Sequence, residues 1–436
     1  MWIGRHRTPS LAPWAALLTG LVVTFPAGIP GAADGTGPRI TDLLSLFSAG
    51  LLALTVFRSA PLHRAISGIL LVYAMTMPWV FMEIYALAGV PDPPVQRLLI
   101  RWVIGGFSAY LIVVLTETPV LRSRFLYGLL IGVFLSLLTV LYDFQTFAPE
   151  DLPIDVLVKL AIYNGKDIHD FVYRAYGIFG HPNGAAGCVL VGVPVLIGAI
   201  HEGRLPRWSI LFALVLMGAV FYLTKSRGSL IVSGALVAYW LYSQTRGIRL
   251  PLVLTGVVAI LVVLTAGGFE TDWVDGVLLD RFRDSDGIAV NAADRWWTIA
   301  TSLDLIMQNP LGMGSAYVAP LETATGTSAT HNAYLELALM GGVPLMVLVV
   351  LRLVKAAARL FTPWRPVEAW LAAYFLGIFA FETYFLQNTV QVMTLWLVIS
   401  PLRSFGKQTA PQARASMQAL PGQGLAVRPT TRNLTR

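Results

Sequence analysis

The chain has 436 residues, of which 56% are hydrophobic and 13% charged. Soluble domains carry about 25% charged residues, so the composition excludes a soluble globular protein, and its apolar content excludes a largely disordered one. A single cysteine, Cys188, excludes a disulfide scaffold and a zinc site built on several thiolates, and the net charge of +7 has to be read from where the charges lie.

A membrane-spanning helix needs about 20 mostly apolar residues. About twelve such runs occur, at roughly 11–30, 40–57, 66–90, 98–116, 125–147, 184–200, 207–223, 229–243, 250–268, 332–351, 366–385 and 388–402. They are too long and alternate too little for barrel strands. The expected fold is therefore an all-α polytopic integral membrane protein with about twelve transmembrane helices. The first run follows Arg5, His6 and Arg7 and ends in small residues, as a secretory signal does. With so many spans behind it, an uncleaved first helix is the expectation.

Basic residues mark the cytoplasmic side. With the N-terminus inside, the inner loops hold Arg58 and Arg64, Arg122 and Arg124, Arg204 and Arg207, Arg246 and Arg249, and then Arg352, Lys355, Arg359 and Arg365. Arg5, Arg7 and the tail residues Arg403, Lys407, Arg414, Arg428, Arg432 and Arg436 join them, whereas among the acids only Glu117, Glu202 and Glu368 fall inside. Both termini are thus expected in the cytoplasm. The positive balance sets topology, and no nucleic-acid partner is expected.

Residues 1–403 form the expected bundle, with 404–436 a disordered cytoplasmic tail of Pro, Gln, Gly and Thr with scattered Arg. Two external loops are long, 148–183 and 269–331, the second between helices 9 and 10; loops beyond about 12–15 residues are usually functional or disordered. Within the second, 291–309 places Trp296, Ile299, Leu303 and Ile306 at helical spacing, with Asn291 able to cap the start and Pro310, Gly312 and Gly314 ending the helix. Such a stripe suits a helix lying along the membrane interface or, equally, one packed on the bundle.

The middles of the spans are nearly free of charge, and Glu83, Asp143, Glu336 and Glu382 fall toward their outer halves. An ion-driven transporter or lipid-linked oligosaccharide flippase, the alternative class, would more often bury charge at the midplane. Polar residues gather outside in three stretches. Arg174 to Gly187 contains a Gly-His-Pro-Asn turn in which Asn183 can cap the next helix. Thr224 to Ser229 is a tight hairpin in which Lys225, Ser226 and Arg227 form a donor cluster suited to phosphate; Arg227 also fits an interfacial anchor to lipid headgroups. Finally, Arg295 opens the helix of the large loop, and His331 and Asn332 stand at the N-terminus of span ten. There the helix dipole disfavours imidazolium, leaving a neutral histidine able to accept a proton or simply to cap the helix.

Taken together, Gly-His-Pro-Asn at 180–183, Ser-Arg-Gly at 226–228, the arginine–aromatic helix at 295–309, Asn-Pro-x-Gly-x-Gly at 309–314 and His-Asn at 331–332 resemble the O-antigen ligase and polysaccharide polymerase superfamily. The resemblance is clearest from about 170 to 345. It implies a glycosyltransferase of the bacterial inner membrane acting at the periplasmic face. The donor would be a glycan on undecaprenyl diphosphate, and the acceptor another glycan or lipid A–core. No metal or cofactor is implied by the resemblance. By motif, the family's essential arginines and histidine fall on Arg227, Arg295 and His331, with Lys225, Ser226, Asn183, Arg174 and Asn332 as expected substrate-binding residues. Gly341, Gly342 and Pro344 only partly reproduce the ligase glycine pattern, which favours a polymerase or exopolysaccharide assembly over a ligase or a protein oligosaccharyltransferase.

Overall fold

The computed structural model describes residues 12–25, 64–72, 105–116, 118–146, 174–179, 181–244, 285–326, 330–362, 365–381 and 388–400. Every regular element among them is helical: α1 (Ala12–Thr24), α2 (64–72), α3 (Gly105–Leu115), α4 (Pro119–Thr146), α5 (Pro182–Val189), α6 (Gly192–His201), α7 (Ile210–Thr224), α8 (Arg227–Gln244), α9 (Ser285–Gln308), α10 (Val318–Thr325), α11 (Ala333–Ala357), α12 (Val367–Ile378) and α13 (Asn388–Ile399). Helices Pro119–Thr146, Pro182–His201, Arg207–Thr224 and Ala333–Phe361 are each long and apolar enough to cross a membrane. The runs at 40–57 and 250–268, most of 66–90, residues 148–173 and 269–284, and the tail 404–436 lie outside the described residues.

Small residues decide where helices approach most closely. Along α1 and α4, a Cβ on Gly20 would strike the Phe125 carbonyl, one on Gly128 the Leu17 carbonyl, and one on Gly132 the Leu21 carbonyl and the Thr24 hydroxyl. Gly128 and Gly132 are four apart on one face, the small-xxx-small arrangement that lets helices meet in lipid. The Thr24 hydroxyl donates to the Leu129 carbonyl at 2.9 Å, and Ser136 donates to the Thr24 carbonyl at 2.6 Å. The centre is held by α5 and α6, which are almost wholly buried, whereas α7 is mostly uncovered and exposes Leu211, Phe212 and Val215. An apolar face of this kind suits lipid.

Two expected single spans are interrupted. The run at 184–200 divides into α5 and α6 at Leu190 and Val191. The run at 332–351 breaks inside α11 at Gly342, whose φ of 79° and ψ of 168° are not helical. The break removes the bond that would join the Val343 N–H to the Leu339 carbonyl, and residues of the segment between α9 and α10 take up both groups. The Val343 N–H donates to the Pro310 carbonyl at 2.9 Å, and the Met313 N–H donates to the Leu339 carbonyl at 2.6 Å. A Cβ on Gly312 would strike the Gly342 amide, and a Cβ on Gly342 the Leu311 carbonyl. Each glycine is thus required by the other chain segment, and irregular backbone inside the bundle is satisfied by protein.

At one end of the bundle, the N-termini of α4 and α12 meet the turn after α6. Arg122 donates through Nη2 to Glu202 and to Glu368, each at 2.6 Å, and Arg204 Nε donates to the other Glu202 oxygen at 2.8 Å. The Val367 N–H also donates to Glu202, at 3.1 Å. Side-chain exposures of 6%, 3% and 13% for Arg122, Glu202 and Glu368 mark a buried, charge-matched cluster.

Candidate functional site

The opposite end gathers the predicted site residues. Segment 174–176 is irregular, and the Ala175 N–H donates to the Leu223 carbonyl at 3.0 Å, tying it to the end of α7. Arg174 then reaches two ways: its Nε donates to the Thr224 carbonyl at 2.9 Å and its Nη2 to Asn183 Oδ1 at 2.6 Å. The adjoining turn is held by Asp143 of α4, whose Oδ2 accepts the Tyr176 and Gly177 N–H groups at 2.8 and 2.9 Å. Asn183 is not the cap of α5, as its position suggested. That role belongs to His181, whose Nδ1 accepts the Asn183 N–H at 3.2 Å, with Pro182 pre-set at the first helical turn. The Asn183 side chain is thereby left to serve Arg174.

The hairpin between α7 and α8 is as tight as expected. Lys225 closes α7 in a left-handed conformation, its N–H donating to the Phe221 carbonyl at 2.8 Å, and α8 starts at Arg227. Lys225 and Ser226 are buried, and the Lys225 ammonium lies 4.8 Å from the centre of the Tyr222 ring. Arg227, which heads α8, is half-buried.

α9 begins at Ser285, so Asn291 lies inside the helix and does not cap it. Its buried side carries Thr298 and Ser302, whose hydroxyl donates to the Thr298 carbonyl at 2.7 Å; Ile299 and Ile306 are half-buried. Trp296, Trp297, Leu303 and Met307 are exposed. The expected apolar stripe is therefore divided between the two sides, with the small Thr298 and Ser302 taking the most buried positions. Trp297 Nε1 donates to the Ala324 carbonyl at 3.1 Å, fastening α9 to α10.

His331 precedes α11 with a φ of 53°, and Asn332 is the helix cap, its Oδ1 accepting the Tyr334 and Leu335 N–H groups at 3.0 and 3.2 Å. Among the described residues, Lys225 and His331 are the two non-glycine residues with positive φ. A left-handed conformation costs a side chain roughly 1–2 kcal/mol, and such strain persists where surroundings enforce it, often at functional sites. Both strained residues stand in the predicted site.

The turn after α12, Phe379–Phe381, brings these parts together, and nothing in its side-chain chemistry announced it. The Ala333 N–H, two residues past His331, donates to the Phe379 carbonyl at 2.9 Å. Arg295 Nη1 donates to the Phe381 carbonyl at 3.3 Å. Gly228, next to Arg227, lies so close that an added Cβ would be 2.8 Å from Phe381 Cβ. Phe379 is fully buried, stacked on Phe375 and edge-on to Tyr334, whose hydroxyl bonds the Leu376 carbonyl. Arg227, Arg295 and His331 are thus each within two residues of a contact with a single turn.

One turn into α11, Glu336 is 1% exposed; Tyr317, just before α10, donates to its Oε1 at 3.3 Å, and its Oε2 has no hydrogen-bond partner among the described residues. Burial, followed by the nearby Glu336 charge, pushes the Tyr317 phenol well above its ordinary range. The sequence placed Glu336 in an outer half-span but gave no sign of the tyrosine from the loop.

Residues 212–350 match the family model described as O-antigen ligase. The matched stretch runs from α7 through α9 and α10 into α11 and contains Arg227, Arg295 and His331. No curated protein matches the chain.

Proposed function

We propose that this chain, a membrane protein whose residues 212–350 support membership of the O-antigen ligase superfamily, transfers or polymerises glycan from an undecaprenyl-diphosphate donor. The reaction takes place at the periplasmic face of the bacterial inner membrane, with both termini in the cytoplasm. The observation that carries this is the convergence of Arg227, Arg295 and His331 on the Phe379–Phe381 turn at one end of an apolar bundle.

An acceptor hydroxyl attacks the anomeric carbon, a new glycosidic C–O bond forms, and the bond to the diphosphate oxygen breaks with its electron pair. Negative charge gathers on the departing undecaprenyl diphosphate, where guanidinium groups give charge-assisted, bidentate hydrogen bonds. Arg227 and Arg295 take that part. His331 receives the hydroxyl proton, help typically worth about 10²–10⁴-fold. A single displacement inverts the anomeric configuration. Lys225, Ser226, Asn183, Arg174 and Asn332 shape the donor side, by direct contact or by fixing the backbone that Arg227 and His331 stand on.

The acceptor is a growing glycan in the polymerase reading and lipid A–core in the ligase reading. Glycan analysis of a deletion strain separates them. Loss of long chains with a single capped repeat remaining indicates a polymerase, and intact polymer stranded on the carrier lipid indicates a ligase. An unchanged profile rejects both.

A further inference from the structure

We propose that Phe381 is a positioning residue that sets the separation of Arg227 and Arg295 to match the two phosphates of a diphosphate. This rests on the glycosyl-diphosphate reading above and extends it to a residue outside the matched segment 212–350. Phe381 touches both arginine-bearing helices, in different ways. Its side chain lies against the backbone of α8, with an added Gly228 Cβ 2.8 Å from Cβ and 3.0 Å from Cγ of the phenylalanine. Its carbonyl accepts from Arg295 of α9 at 3.3 Å. Phe381 is itself held, since its N–H donates to the Ile378 carbonyl at 3.0 Å and the Ala333 N–H donates to the Phe379 carbonyl at 2.9 Å.

The contact with α8 is repeated one turn further on. A Cβ on Gly377 would meet Val232, four residues after Gly228. Two glycine contacts a turn apart leave α8 little freedom to slide along α12. The start of α8, where Arg227 stands, is therefore fixed relative to the carbonyl that holds Arg295. The carbonyl takes one of the five N–H donors of the Arg295 guanidinium and so limits where that group can reach. A fixed spacing between two cations selects for anions of matching span, so the arrangement predicts discrimination by phosphate number as well as by charge.

The test measures binding of undecaprenyl diphosphate and of undecaprenyl monophosphate to the full-length protein in nanodiscs. Wild type is expected to prefer the diphosphate by about tenfold or more, a difference of roughly 1.4 kcal/mol. Gly228→Ala, which forces its methyl into Phe381, is expected to abolish that preference while monophosphate binding stays within about twofold. Gly228→Ala combined with Phe381→Gly, which removes the colliding methylene, is expected to restore it to within about threefold of wild type. Should Gly228→Ala not fold, Phe381→Ala opens a gap in place of a clash and is expected to reduce the diphosphate preference selectively. Retained preference in the folded single variants, equal weakening of both lipids, or a double variant no better than Gly228→Ala would overturn the positioning role. A wild-type protein with no preference at all would instead remove the glycosyl-diphosphate reading.

Discussion

The two ends of the bundle hold their cations by different means. At the first, Arg122 and Arg204 meet the carboxylates of Glu202 and Glu368, and the charges cancel within a buried cluster. At the second, Arg174 is held by a carbonyl and an amide oxygen, Arg295 by a carbonyl, and Lys225 by an aromatic ring. A cation paired with a carboxylate serves the fold. A hydrogen bond to a neutral oxygen orients a guanidinium without itself adding a counter-charge. The same residue type is therefore structural at one end and, in the proposed function, chemical at the other.

The strongest way to break this comparison is to remove one partner from the matched cluster. Glu202→Ala leaves Arg122 and Arg204 short of a carboxylate and is expected to cost about 3–5 kcal/mol of stability, read by thermal unfolding in detergent; a melting temperature equal to wild type would dissolve the contrast. Next, Arg227→Lys and Arg295→Lys are expected to lose about 10²–10³-fold in glycan transfer at matched protein levels and unchanged melting temperature, because an ammonium cannot reproduce bidentate binding. Full activity in both would rule out that role.

A smaller effect is expected at Asp143, which holds the turn that follows Arg174. Asp143→Ala strands two backbone N–H groups and should cost about 1–3 kcal/mol, whereas Asp143→Asn, which keeps an acceptor oxygen, should cost less. The smallest is at Asn332. Loss of the helix cap in Asn332→Ala is expected to cost about 0.5–2 kcal/mol, with Asn332→Ser recovering stability and transfer together. If serine restored stability without transfer, Asn332 would act on substrate and not only as a cap.

Much of this was legible in the sequence because the signals are local. Hydropathy located the helices that α4, α7, α8 and α13 realise, and Pro310 with the glycines after it marked the end of α9. Arg174 and Asn183 stand in one polar stretch of the sequence, and it was the family resemblance that named Arg227 with Arg295. Other features depended on partners far away in the chain. Asn183 and His181 are both competent caps, and only the approach of Arg174 assigns one to each task. The Phe379–Phe381 turn acts mainly through carbonyls, which every residue possesses, so no residue type reveals it. The break at Gly342 could be read as an incomplete glycine motif, since its cause is the loop that fills it.

That filled break also bears on the order in which the protein is built. The loop leaves α9 and precedes α11 in the chain, so Pro310 and Met313 emerge from synthesis before the helix they complete. An unbroken α11 would join the Val343 N–H to the Leu339 carbonyl, and docking of the loop exchanges that one bond for two to Pro310 and Met313. The bend at Gly342 is therefore a joint property of the helix and the loop. Loop and helix thus reach their final shape together, and the start of α11, where His331 stands, inherits its direction from that docking.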